Sequence, residues 1–191
     1  MRRLPLTPSQ TIGPFHHYAL PWPDGGRMRS ESTSGVPIRL VIRIYDGQGT
    51  PVDDGLVEIW QANAAGRYAH PEDRRNLPLD PGFTGFGRAE ADRDGAYIFD
   101  TIKPGRVPEA NSGLQAPHVN VLVFARGLLD HVITRVYFAD EADANAEDPV
   151  LALVPEARRA TLLARKDESD PSTYRFDIRL QGPNETVFFE I

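Results

Sequence analysis

Cysteine is absent from the 191 residues. That absence excludes disulfides, thiolate metal centres, iron–sulfur clusters and cysteine nucleophiles together. Long apolar runs are missing as well, and nothing approaches the roughly 20 residues that a membrane-spanning helix requires. An excess of positive charge is also lacking. Lys and Arg number 21 against 27 Asp and Glu, a formal net charge of −6, and a nucleic-acid binder needs a net basic face to neutralise phosphates. The opening MRRLPLTPSQTIGPF carries arginines, but prolines interrupt its apolar stretches, so it is not read as a signal peptide. A cytoplasmic location is the expectation. Nucleophile elbows (GxSxG), P-loops and GxGxxG turns are missing too.

Turn-forming residues are plentiful, with 16 Gly and 17 Pro, while 40% hydrophobic and 25% charged residues suit a globular domain. In the first 36 residues Pro5, Pro8, Pro14, Pro21 and Pro23 fix φ and remove donors, so residues 1–36 read as an extended N-terminal arm. Phe15, Tyr18, Leu20 and Trp22 are too many large apolar groups for a free tail, and the arm is expected to lie against its own domain or a partner. Residues 24–36 read as polar and flexible. Residues 37–191 form the second unit. Ile38, Leu40, Ile42 and Ile44 alternate with Arg39, Val41 and Arg43, the period of a strand with one buried face.

Further strands are expected at Leu56–Ala62, Phe86–Asp92, Tyr97–Ile102, His118–Ala125, Val132–Phe138, Tyr174–Leu180 and Thr186–Phe189, with a long loop over 63–84. Asp92-Arg93-Asp94-Gly95 reads as a β-turn, because the downstream Glu of a calcium loop is missing. One helix is expected after Pro155-Glu156, where Ala157, Ala160, Leu163 and Ala164 repeat at helical spacing. Short strands without alternating helices imply an all-β fold: an antiparallel β-sandwich with a Pro-rich arm and one short helix.

The residues able to do chemistry are few. Alternate residues of a strand project from one face, so a His-x-His pair can hold a metal, but here His118-Val119-Asn120 ends in an amide, a poor ligand. A hydrogen-bonded structural role for His118 is the plainer reading. His16 and His17 are adjacent and diverge. Tyr68 sits in a Gly-Arg-Tyr loop after a well-patterned strand, a position open to function, although a packing tyrosine with its hydroxyl at the surface fits the pattern better. Arg126 closes the run VNVLVFA ahead of a glycine turn, where it either meets an acidic partner of its own chain or contacts an anionic ligand.

Longer motifs are more specific. TPSQTIGPF, LVEIWQANAAGRY, DGAYIFDTIKPG, APHVNVLVFARG, TRVYF and YRFDIRLQG followed by ETVFFE occur in order from about Thr7 to the C-terminus. Together they resemble the intradiol ring-cleaving dioxygenases. The resemblance implies a β-sandwich and a non-haem ferric ion held by two tyrosinates and two histidines. It places the first tyrosine at Tyr68, the second at Val107 within Pro104-Gly105-Arg106-Val107-Pro108, the first histidine at His118 and the second at Asn120. Gln115 stands where an arginine is usual. With two of four donors replaced, the resemblance implies no metal in this chain: Fe(III) of the complex is bound by a homologous β subunit, in a heterodimer that oligomerises further. This chain is then expected to contribute Gly13, Pro14 and Arg126 to the pocket wall around the partner's iron, Arg126 attracting the carboxylate of a small aromatic acid substrate. Two rivals stay open. One is a non-catalytic scaffold or aromatic-acid-binding sandwich. The other is a self-sufficient catechol dioxygenase, against which stand the missing donors and the lack of a helical segment ahead of Ile38.

Overall fold

The computed structural model describes residues 11, 13, 19–109 and 113–190, the side chain of Glu109 excepted. Alternating apolar residues produce strands β1 (Pro37–Tyr45), β2 (Leu56–Gln61), β3 (Phe86–Glu90) and β4 (Ala96–Ile102). A small hairpin, β5 (Val107–Glu109) and β6 (Gly113–Gln115), leads into β7 (His118–Phe124) and β8 (Val132–Phe138). Two short helices follow, α1 (Ala142–Glu147) and α2 (Glu156–Arg159), and then β9 (Leu163–Lys166) and β10 (Thr173–Arg179).

The strands run in the order β3-β2-β7-β8-β9-β10-β1-β4, a continuous sheet folded into a near-barrel of two layers. Most ladders are antiparallel, and the β1–β10 and β8–β9 pairings are parallel. Short β9 joins the layers, pairing with β8 on one side and β10 on the other. Ile38, Leu40, Ile42 and Ile44 of β1 meet Val57 and Ile59 of β2 and Val119, Val121 and Val123 of β7 in the core between them. Full burial of such a side chain contributes about 1.5–3 kcal/mol, so the inward rows fix which face of every strand is left outside. A second cluster of Ala116, Tyr137, Leu151, Val154 and Leu162 lies beneath the helical segment.

Several expectations change. The segment after Pro155 gives only the single turn α2, then a 3₁₀ turn over Ala160–Leu162, and Leu163 and Ala164 belong to β9. Pairing of Ala164 with Phe138 and its complete burial outweigh its helical spacing. Helix α1 has no buried residue, which is why apolar periodicity missed it. Thr186–Phe189 forms no ladder; a single bridge joins Phe189 to Ile133. Residues 24–28 are held in place: the amides of Met28 and Arg88 donate to Asp100 and Gly25, that of Asp100 donates to Gly26, and Met28 is buried in the core. Asp92-Arg93-Asp94-Gly95 is the expected turn, its Asp92 carboxylate accepting from the amides of Asp94 and Ala96. Phe15, His16, His17, Tyr18 and Pro14 lie outside the described residues. No helix among the described residues is long and apolar enough to cross a membrane.

Candidate functional site

With the β2, β7 and β8 core rows turned inward, the intervening residues form a row on the outer face. Trp60, Asn120 and Arg135 are directly opposed across β2, β7 and β8. His118 and Tyr137 oppose each other one step along. Over this row lies the loop carrying Tyr68, whose ring stacks on Trp60 with centroids 5.8 Å apart and planes within 6°.

Two turns clamp that loop. Asn63 is buried, and its side-chain oxygen accepts from the amides of Ala65 (3.0 Å) and Arg67 (2.9 Å) while its amide donates to Pro78 O (2.9 Å). Gly66 has φ 78°, and a Cβ there would sit 2.1 Å from Arg106 O. Only glycine permits both the left-handed backbone and the close approach. The Pro104-Gly105 turn docks on the same spot through Gly105 N to Asn63 O at 2.9 Å. Docking of the two turns brings Tyr68 and Val107 to the same cavity, of about 910 Å³, also lined by Trp60, Pro108, Gln115 and Arg135.

Tyr68, Val107, His118 and Asn120, dispersed in sequence, therefore converge. Tyr68 Oη lies 3.4 Å from His118 Nε2, and His118 Nδ1 lies 2.8 Å from Ala116 O. A carbonyl only accepts, so Nδ1 carries the proton and Nε2 accepts from the tyrosine. Burial, and after it the charge of Arg135, lowers the His118 pKa to about 4, leaving the ring neutral near pH 7. Burial raises the Tyr68 pKa, against the charge of Arg135 and a hydrogen bond with Asn120, so its hydroxyl stays protonated. Tyr68 is thus partly buried with an inward hydroxyl, contrary to the surface position its loop suggested. Arg135, unmarked by sequence reasoning, donates through Nη1 to Gln115 Oε1 at 2.7 Å. Its only sequence signal is a charged residue inside the apolar run VITRVYF.

Arg126 belongs to a different corner. It follows β7 at the far end from His118, about 25 Å away by the strand rise. Arg126 Nε lies 2.5 Å from Asp54 Oδ2, and the arginine side chain is 76% exposed. An acidic partner in the same chain, one of the two sequence alternatives, is present. Gly127 N donates to Thr11 Oγ1 at 3.1 Å, which sets Thr11 of the arm beside the Arg126–Gly127 turn.

The dioxygenase family model matches residues 14–182. The chain belongs to the intradiol ring-cleavage dioxygenases. It is 45% identical over its full length, and the full length of its relative, to the protocatechuate 3,4-dioxygenase alpha chain of Burkholderia cepacia. To the beta chain of the same organism's enzyme it is 35% identical, over 95% of this chain and 78% of that one. Its fold is similar to that of 3-chlorocatechol 1,2-dioxygenase from Rhodococcus opacus 1CP, with TM-score 0.61 and 19% identity over 94% of this chain and 69% of the other.

Intradiol dioxygenases are iron-dependent, and the residues here do not fit the metal. Ferric iron wants anionic oxygen donors. Val107 offers hydrocarbon, Asn120 a neutral amide, and Tyr68 a protonated hydroxyl engaged with the His118 imidazole. The guanidinium of Arg135 adds a fixed positive charge where a cation would bind. No cluster of three or more His, Asp or Glu suited to a metal exists among the described residues.

Proposed function

We propose that this chain is the alpha-type subunit of a cytoplasmic intradiol dioxygenase that cleaves protocatechuate (3,4-dihydroxybenzoate) with O₂ to 3-carboxy-cis,cis-muconate. The ferric ion is held by a homologous beta-type subunit, where it supplies activation of the diol for ring cleavage. The observation that carries this reading is the assembled but donor-poor centre: Tyr68 and His118 meet beside Val107, Asn120 and a cation, in a chain similar end to end to an alpha chain. This chain then contributes a wall of the partner's pocket through Gly13, Pro14 and Arg126. Contact of Thr11 with the Arg126–Gly127 turn supports a joint role for arm and turn. A Gly-Pro backbone makes a thin, rigid wall for a flat ring, and a guanidinium pairs with the substrate carboxylate.

Co-expression with a beta-type chain tests the assembly. A stoichiometric, coloured complex with one iron per pair is the expected product, and stoichiometric iron with ring cleavage in this chain alone would overturn the assignment. Arg126→Ala tests the wall. Loss of a charge-assisted hydrogen bond costs roughly 1.5–3 kcal/mol, so kcat/KM for protocatechuate should fall about 10- to 150-fold, mainly in KM. Catechol, lacking the carboxylate, should lose much less. Equal losses for both substrates, with a lowered Tm, would leave Arg126 only its ion pair with Asp54.

A further inference from the structure

In the described structure Arg135 has no acidic partner, although other cations at the same cavity do. Arg75 is paired with Asp73 (2.5 Å) and Arg74 with Glu72 (3.4 Å) at the rim. Arg135 donates only to the neutral oxygens of Gln115 and Tyr137, with its guanidinium 5.9 Å from the Phe189 ring centroid. Nη1 makes both hydrogen bonds, and Nε and Nη2 make none to a described residue. Three arginines against two carboxylates line the cavity, so its charge favours an anion. The same cavity also has an apolar, aromatic lining: the Trp60–Tyr68 stack, Val107 and Pro108. The volume of about 910 Å³ lies within the range of pockets that enclose small organic ligands, about 300–1,000 Å³.

From the pairing of a guanidinium that has no carboxylate partner among the described residues with an aromatic wall, we infer that the donor-poor centre is a metal-free binding site for a planar aromatic carboxylate. Arg135 takes the carboxylate in its planar fork, and the ring lies against Trp60, Tyr68 and Pro108. A fork of two parallel N–H donors matches a carboxylate, and the slot beside it matches a ring, which together disfavour a simple phosphate. Val107 is central to this assignment. A methyl-bearing side chain in place of a donor leaves ligand space at the cavity wall, where it is nearly buried. The inference stands apart from the role of Arg126, which lies at the other end of β7.

Equilibrium dialysis with radiolabelled benzoate tests it, on the chain alone and on its complex with a beta-type chain. The chain alone should bind one benzoate, and the complex one more than its Arg135→Gln form. Arg135→Gln should weaken the site about 10- to 150-fold, as expected for loss of a charge-assisted pair. Arg135→Lys, which keeps charge but not the fork, should retain weaker binding, and circular dichroism checks that both variants fold. If the lone chain does not fold, the stoichiometry of the complex decides. Unchanged stoichiometry and affinity in Arg135→Gln would overturn the assignment, as would no saturable benzoate binding attributable to this chain. Displacement of benzoate by inorganic phosphate at equal concentration would overturn its aromatic half.

Discussion

Tyr68 is held by its neighbours through both its ring and its hydroxyl. It stacks on Trp60 and donates to a neutral His118, so the two potential donors satisfy each other. A buried pair of this kind is stable because neither group is left unsatisfied. Arg135 reinforces the state by opposing any further positive charge. From this follows the expectation that the purified chain holds far less than one equivalent of iron by elemental analysis and cleaves no catechol. Restoring donors with Val107→Tyr and Asn120→His, and removing the cation with Arg135→Gln, should raise iron uptake and give a visible phenolate-to-iron absorption. The two donor substitutions without Arg135→Gln should take up less, since the guanidinium remains in the cavity. Equal uptake with and without that third change would show that Arg135 exerts no electrostatic control.

Among the elements, the joints carry the specificity. One such joint gathers Asp140, after β8, with Lys103 after β4, Lys166 of β9 and Tyr174 of β10. Lys103 Nζ lies 2.8 Å from Asp140 Oδ2, Lys166 Nζ 3.0 Å, and Tyr174 Oη donates to the same oxygen at 2.9 Å. Burial opposes the charged form of Asp140, yet the hydrogen bonds from Lys103, Lys166 and Tyr174 win and hold its pKa at about 2. A carboxylate depressed in the folded state stabilises above its ordinary pKa of 3.8, and that contribution disappears as pH falls through the folded value. Asp140→Asn should therefore lose on the order of 1–2 kcal/mol at pH 7, the partial exposure of the joint being allowed for. Urea midpoints of the two proteins, well apart at neutral pH, should converge between about pH 4 and pH 2. A gap that stays constant over this range would assign the effect to packing.

For the whole molecule, the question is which surface meets another chain. Trp22 is 42% exposed and Leu20 40%, yet both are organised. The Arg88 guanidinium sits 4.9 Å from the Trp22 ring centroid, donates to Leu20 O at 2.8 Å and pairs with Glu58, and Trp22 stacks on Phe86 at 6.0 Å. An ordered, half-exposed aromatic beside an arginine is the composition that interface anchors favour. Trp22→Ala should weaken association with a beta-type chain about tenfold or more by titration, while lowering the Tm of the lone chain only slightly. A large drop in Tm without loss of association would make Trp22 a part of this chain's own packing.

Residue type and period by themselves determined the all-β class, most strand positions and the family, because alternating burial is written locally and the ordered motifs span the chain. They also marked Tyr68, Val107, His118 and Asn120 as one set through resemblance, and both readings of Arg126 were open from its place at a strand end. The parallel closure through β9, the loss of the predicted helix after one turn and the opposition of Trp60, Asn120 and Arg135 depended on register between strands far apart in the chain. The acidic partner of Arg126, and the lack of one at Arg135 among the described residues, were likewise decided only in three dimensions. A side chain's charge is read from its identity, but its compensation depends on which distant groups packing brings within hydrogen-bond reach, and no local pattern encodes that distance.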